Sequence, residues 1–110
     1  MKTEKKKDYI ILRDEKNDVK DFADFLNSIY KQFKDENIVV DIEKYGNLTL
    51  EELLSFLKLS TKHKKAKKSF VIVNDTINID TVPEELNVVP TLQEAEDIIK
   101  LEEIERDLGF

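Results

Sequence analysis

Apolar residues along the chain form four short runs that predict β-strands. The second run, at residues 38–42, is β-branched and is interrupted only by Asp41, which is typical of a strand buried on both faces of a sheet. We therefore expect it to be the central strand. The other runs lie at residues 9–12, 69–73 and 86–89, and Pro90 ends the last of them.

Between and after these runs, apolar residues recur at helical spacing and predict three helices. The first begins at Val19 and ends near Glu36. The second opens at Thr49, whose hydroxyl and the carboxylate of Glu52 have the spacing of a capping box. Thr91 opens the third in the same way. The leucines of the second helix are expected to face the sheet: Leu50, Leu53, Leu54 and Leu57.

The alternation of strands and helices predicts an α/β fold, because such units favour parallel strands with right-handed crossovers. We expect a four-stranded, mainly parallel sheet with three helices, in a single domain over residues 1–110. Residues 1–7 are charged, with little to bury, and are expected to form a disordered tail. Residues 100–110 extend the last helix beyond the expected domain edge, and Gly109 lies where a helix C-cap would turn the chain.

Composition narrows the chemistry that the chain can perform. It has 110 residues, one histidine and no cysteine, so disulfides, thiolate metal sites and a cysteine nucleophile are excluded. A membrane-spanning helix needs about 18 consecutive apolar residues, and no apolar run in the chain approaches this length. The N-terminal residues do not form the apolar core of a signal peptide. We therefore expect a cytoplasmic protein that does not contact a membrane.

Charge is distributed unevenly along the chain. Residues 53–69 contain six lysines and no acid, whereas residues 84–110 contain nine acids against two basic residues. The lysines of residues 62–68 (Lys62, Lys64, Lys65, Lys67 and Lys68) could bind a nucleic acid, which would make the chain a small accessory protein of RNA processing. Because no arginine or aromatic residue is interleaved with them, nucleic acid is not the favoured partner. Pairing with the acidic last helix is the alternative.

Two motifs, in this order, resemble the STAS domain, the fold of sulfate-transporter and anti-sigma-factor-antagonist proteins. One is VVDI at residues 39–42, followed by a loop and a leucine-rich helix; the other is VVPTLQEAEDII at residues 88–99. The resemblance implies a STAS-like fold and a small, non-catalytic regulator without a cofactor, whose partner is another protein, such as an anti-sigma factor or a kinase-like regulator. Short STAS-like chains are also labelled ribonuclease Z, but one histidine cannot supply the zinc site of that enzyme.

The chain departs from the STAS pattern at the position of the phosphoacceptor. Where the family opens its helix with Asp-Ser-Ser-Gly, this chain has Thr49, Leu50, Glu51 and Glu52, so Leu50 replaces the phosphorylated serine. A shift of one residue would offer Thr49 instead. Thr49 is therefore either a possible phosphoacceptor or the N-cap of its helix, and the capping-box spacing favours the N-cap.

The candidate binding site lies in the loop after the central strand. In open α/β sheets, ligands and partners are met at the carboxyl ends of the strands, which places Tyr45, Asn47, Thr49 and Glu51 at this edge. We predict that these residues bind the protein partner. No catalytic residue or metal ligand set is expected, and His63, which lies among lysines, is expected to be solvated.

The C-terminal extension is the second candidate surface. Its apolar residues, Leu101, Ile104 and Leu108, have no assigned place on the sheet, and Leu108 and Phe110 are predicted to bind a partner. That partner is another protein or a second copy of the chain, which would make a homodimer. The alternative is a local clasp, in which Leu108 and Phe110 pack against the first helix.

Overall fold

The computed structural model describes residues 1–43 and 45–109. They form an α/β fold around one five-stranded mixed sheet, whose strands lie side by side in the order of the sequence. The strands are β1 (Lys2–Lys5), β2 (Ile10–Arg13), β3 (Ile38–Asp41), β4 (Phe70–Val73) and β5 (Asn87–Val89). β1 is antiparallel to β2, and the strands from β2 to β5 are parallel. The predicted α/β class is confirmed, and the sheet has one strand more than predicted.

The additional strand, β1, lies in the predicted tail. The prediction of a disordered segment at residues 1–7 is therefore wrong for Lys2–Lys5, which pair with β2 from Arg13 to Ile10. The side chains of β1 are largely exposed. Backbone hydrogen bonds to β2 and the ion pair between Glu4 and Arg13 hold this strand, rather than apolar burial.

β3 is the central strand, as its β-branched sequence predicts. β2 and β4 pair with it along its whole length, from Ile38 to Asp41. Val39 and Val40 belong to the cores on opposite faces of the sheet, and both side chains are fully buried. Each face of the sheet therefore needs its own cover of helices.

Three helical segments provide this cover. α1 (Val19–Ile29) joins β2 to β3, α2 (Leu50–Leu54) and α3 (Leu57–Lys65) form the divided segment between β3 and β4, and α4 (Leu92–Asp107) follows β5. α1 ends at Ile29 and passes into a 3-10 turn at Tyr30–Gln32, short of the predicted end near Glu36. Within the described residues, none of these helices is long and apolar enough to cross a membrane.

The helices lie on two different faces of the sheet. α1, α2 and α3 pack on one face, where Phe22, Leu53 and Phe56 belong to the same core. α4 packs on the other face, where Ala95 and Ile99 belong to a second core with Val39 and Val71 of the sheet. Because α1 and α4 are on opposite sides of the sheet, Leu108 does not form the alternative clasp on the first helix.

The second predicted helix is divided at Ser55 and Phe56, and the side chains that face the core differ from the predicted leucines. Leu53 is fully buried, as predicted, but Leu54 is 38% exposed. Phe56 and Leu59 join Leu53 in the core instead. The buried side of this segment therefore runs through Leu53, Phe56 and Leu59, whereas Leu50 and Leu57 are only partly buried at its margin.

Replacing Leu53 with Ala should lower the free energy of unfolding by about 2 to 5 kcal/mol, because the truncation leaves a cavity in a packed core. Chemical denaturation measures the loss. Leu54→Ala is the matched control, since it removes the same atoms from an exposed neighbour and should cost less than about 1 kcal/mol. Equal losses in the two variants would contradict the helix orientation described here.

Candidate functional site

The carboxyl ends of the parallel strands meet at one edge of the sheet. The loops that leave this edge carry Asp14 after β2, Tyr45 after β3 and Asn74 after β4. Two hydrogen bonds join these three loops: the Tyr45 side chain donates to the Asp14 side chain, and the Asn74 side chain donates to the backbone carbonyl of Tyr45. The predicted binding loop is therefore held by hydrogen bonds to the two neighbouring loops.

Asn74 holds two of these loops together, and its side chain is almost fully buried. Its amide nitrogen donates to the carbonyl oxygens of Ile42, at 3.0 Å, and Tyr45, at 3.2 Å. Its amide oxygen accepts from the backbone amides of Thr76, at 2.9 Å, and Ile77, at 3.0 Å. Because a buried amide needs such partners, Asn74 fixes the path of the loop that carries Tyr45.

The Tyr45 hydroxyl donates a hydrogen bond to the carboxylate of Asp14. Asp14 also accepts from the backbone amides of Lys16, at 3.0 Å, and Asp18, at 2.9 Å. Burial acts to raise the pKa of Asp14, but these hydrogen bonds outweigh it, and the pKa lies below its ordinary value. The pKa of Tyr45 is raised, first by burial and then by Asp14. At neutral pH the pair is thus a phenol bound to a carboxylate.

A groove of about 360 Å³ lies beside this pair, and Arg13 and Asp41 form part of its wall. The guanidinium of Arg13 donates through Nε to Asp41 and through Nη1 to Glu4, each at 2.9 Å. Asp41 also accepts from the backbone amide of Glu43, at 3.1 Å. These charges are paired with one another, which lowers the capacity of the groove to bind a charged ligand.

Thr49 caps α2, as the sequence predicts. Its hydroxyl accepts from the backbone amide of Glu52, at 3.1 Å, and the Glu52 carboxylate accepts from the Thr49 amide, at 3.0 Å. Glu51 pairs with Lys20 of α1 at 2.9 Å, which lowers the pKa of Glu51. Asn47 is exposed. The roles of these loop residues in partner binding, and of Thr49 as a phosphoacceptor, stay predictions.

Thr49→Ala should lower the free energy of unfolding by about 1 kcal/mol, because the first turn of α2 loses its capping hydroxyl. Thr49→Ser keeps the hydroxyl and should remain close to the parent chain in urea denaturation. Intact-mass measurement of the protein from its native cells should show no phosphate at this residue. A stoichiometric phosphate there would establish that Thr49 is more than a cap.

Leu108 lies at the opposite edge of the sheet from the Tyr45 loop. α4 begins after the carboxyl end of β5 and runs back across the sheet, so its last turns reach the amino ends of β3 and β4. There the guanidinium of Arg106 donates to the hydroxyl of Ser69, at 3.2 Å. The predicted binding residues therefore fall on two separate surfaces, and Phe110 lies outside the described residues.

Asn37, which is buried just before β3, anchors these last turns of α4. Its amide nitrogen donates to the carboxylate of Glu103 and to the carbonyl oxygen of Asp8, each at 3.0 Å. Its amide oxygen accepts from the backbone amide of Ser69, at 2.9 Å, and from Arg106, at 3.4 Å. The C-terminal extension is thus tied to an edge of the sheet by polar contacts.

The outer side of α4 carries an exposed apolar stripe, which consists of Leu101, Ile104 and Leu108. Their side chains are 56%, 56% and 68% exposed, whereas Ala95 and Ile99 on the sheet side are fully buried. Spacings of three and four residues place the three side chains within about 60° of one another around the helix. In the described part of the chain, the other large apolar side chains that are exposed belong to three different elements: Phe25, Leu54 and Ile79.

Two lysines of residues 62–68 make contacts with other residues of the same chain. The ammonium group of Lys62 lies 4.6 Å from the centre of the Tyr30 ring. Lys64 donates to the carbonyl oxygen of Glu85, at 2.6 Å, and burial lowers its pKa. Lys62, Lys65 and Lys67 are exposed. The cluster is therefore only partly available to a nucleic acid.

The prediction that His63 is solvated is wrong, because its side chain is fully buried. Nε2 lies 2.6 Å from the carbonyl oxygen of Glu36, which can only accept, so Nε2 carries the proton. Nδ1 then accepts from the Tyr30 hydroxyl, at 2.7 Å. His63 follows Leu59 by four residues and Phe56 by seven, so the helical spacing held a signal for its burial.

Burial lowers the pKa of His63 below 6.5, and Lys68 and Arg106 lower it further against the opposing hydrogen bond to Glu36. The unfolded chain therefore binds a proton at a higher pH than the folded chain does. Stability should fall as the pH drops below about 6.5 and level off below the folded pKa. The slope approaches about 1.4 kcal/mol per pH unit between the two pKa values. Urea denaturation across this pH range measures it, and His63→Gln should remove the slope; a slope that persists would belong to other groups.

Over residues 1–43 and 45–109, no three His, Asp or Glu side chains come together as the ligands of a metal ion would. Every buried side-chain nitrogen or oxygen in this part of the chain has a hydrogen-bond partner. Comparison with protein-family models and with curated proteins finds no match to the chain.

Proposed function

We propose that the chain is a non-catalytic module that binds a protein partner through the apolar stripe on α4. The observation that carries the proposal is the stripe itself, three contiguous apolar side chains on one helix that face away from the core. Exposed apolar surface is unfavourable in water, and a partner that covers it gains free energy. Three- and four-residue spacing along a helix is suited to contact with a second helix.

The way in which α4 is held supports this role for its outer side. Ala95 and Ile99 pack on the sheet, and Glu103 and Arg106 bind Asn37 near the helix end. These contacts fix the helix along its length. The stripe is thus presented on a rigid support, so that little conformational entropy is lost when a partner binds.

The other two candidate surfaces receive less support. Tyr45, Thr49 and Glu51 contact Asp14, Glu52 and Lys20 of the same chain. In the lysine cluster, on which a nucleic-acid role would depend, Lys64 is partly buried and donates to the carbonyl oxygen of Glu85, and Lys62 lies over the Tyr30 ring although it is exposed. We therefore place the protein interface on α4.

A STAS-like regulatory role in the cytoplasm, with an anti-sigma or kinase-like partner, is the finer form of this proposal. Its support is the order of the two sequence motifs. VVDI spans the end of β3, and VVPTLQEAEDII spans the end of β5 and the first half of α4. The proposed class of partner rests on the resemblance of these motifs.

Photo-crosslinking in the native cells tests the proposed interface. A benzophenone amino acid at position 105, beside the stripe, should crosslink the chain to a discrete protein. Ile104→Glu in the same chain should abolish the crosslink, because a carboxylate at the centre of an apolar contact is costly to bury.

Ile79→Glu is the matched control for this experiment. Ile79 is also exposed but lies in a 3-10 turn between β4 and β5, and the variant should leave the crosslink unchanged. Equal loss in both variants, or no crosslink from position 105 in a folded chain, would contradict the proposal. Mass spectrometry of the product identifies the partner.

A further inference from the structure

The stripe on α4 is arranged so that a second copy of the same helix can cover it. Ile104 lies at its middle, with Leu101 three residues before it and Leu108 four residues after it. If two such helices pair antiparallel about Ile104, Leu101 of each copy lies beside Leu108 of the other. A twofold interface requires this kind of self-complementary pattern.

The charges beside the stripe match the same pairing. Lys100 and Asp107 are seven residues apart, so they lie on one flank of the stripe, about 20° apart around the helix. They also lie at nearly equal distances on either side of Ile104. In an antiparallel pair, residues of the same flank face each other, so Lys100 of each copy lies opposite Asp107 of the other.

Lys100 is available for this contact. Within the chain its ammonium group lies 3.7 Å from the carboxylate of Glu96, and the Lys100 side chain is exposed. An exposed pair of this kind contributes little to stability and can be exchanged for another.

Glu105 lies on the other flank of the stripe, one residue after Ile104. Antiparallel pairing about Ile104 brings the two copies of Glu105 near each other. Like charges at this distance are unfavourable. The interface thus combines an apolar centre and two favourable charge pairs with one repulsive pair.

We propose that the occupant of the stripe is a second copy of the chain, which binds antiparallel through α4 to form a homodimer. This rests on the proposed function and deepens it by naming a second copy of the chain, rather than an anti-sigma or kinase-like regulator, as the partner that covers the stripe. A contact between two helices of this length is smaller than the about 1,200–2,000 Å² of a standard interface. We therefore expect a weak and reversible dimer that forms at micromolar protein concentration.

Sedimentation velocity of the full chain, over about a hundredfold range of concentration in the micromolar region, tests the homodimer. The parent chain should shift from monomer to dimer as the concentration rises. Ile104→Glu should remain monomeric with an unchanged unfolding midpoint at low concentration, and Ile79→Glu should dimerise like the parent chain. A parent chain that is monomeric throughout, or an Ile104→Glu chain that dimerises, would overturn the proposal.

Charge variants test the antiparallel orientation. Lys100→Asp should weaken the dimer severalfold, and adding Asp107→Lys to it should restore the affinity. Glu105→Gln should tighten the dimer severalfold, because it removes the like-charge pair, whereas a basic partner helix would bind this variant less tightly. Failure of the double exchange to restore affinity, or weaker association of Glu105→Gln, would overturn the orientation proposed here.

The sedimentation and crosslinking experiments together separate the homodimer from the proposed function. A monomeric chain that still gives the Ile104-dependent crosslink to a different protein overturns the homodimer alone. Absence of both the dimer and the crosslink overturns the proposed function as well.

Discussion

Burial of β3 between two parallel neighbours is the constraint on which the rest of the structure depends. Parallel strands cannot be joined by tight turns, so each connection must cross the sheet. The crossings place α1, α2 and α3 on one face, and they collect the strand starts at one edge and the strand ends at the other. Asn37 precedes β3 at the first edge, and Asn74 follows β4 at the second. These two buried amides bond the backbone and side-chain groups that the edges would otherwise leave without partners.

Strands and helix starts could be predicted because they depend on local signals. β4 and the first three residues of β3 are continuous β-branched or aromatic runs, and Thr49 and Thr91 have the chemistry of N-caps. β1 could not be predicted, since its four residues are polar and its stability comes from pairing with β2. The lysines next to His63 in the sequence indicated exposure instead of burial. Its hydrogen-bond partners, Tyr30 and Glu36, belong to a different part of the sequence, so local spacing did not reveal them.

The candidate site shows the same division between local and distant signals. The capping box of Thr49 was readable from residues three positions apart. The carboxylate that binds Tyr45 and the lysine that binds Glu51 lie about thirty residues away, and spacing alone does not reveal such pairs. The exposure of Leu101, Ile104 and Leu108 depends on which side of α4 meets the sheet, and Ala95 and Ile99 decide this. Sequence therefore indicated where polar and apolar residues lie, and tertiary contacts determined which of them remain exposed.

The lysine-rich sequence of β1 also determines how the sheet ends. An open sheet can grow when a strand from another chain pairs with one of its two outermost strands, the edge strands, which are β1 and β5 in this sheet. At one edge, β1 presents Lys2 and Lys5, whose charges repel a second strand of the same kind. At the other, β5 has three residues and is followed by Pro90, which has no amide hydrogen to donate. Both edge strands oppose the addition of a further strand. At high concentration, this protein therefore favours contacts between helices over cross-β assembly.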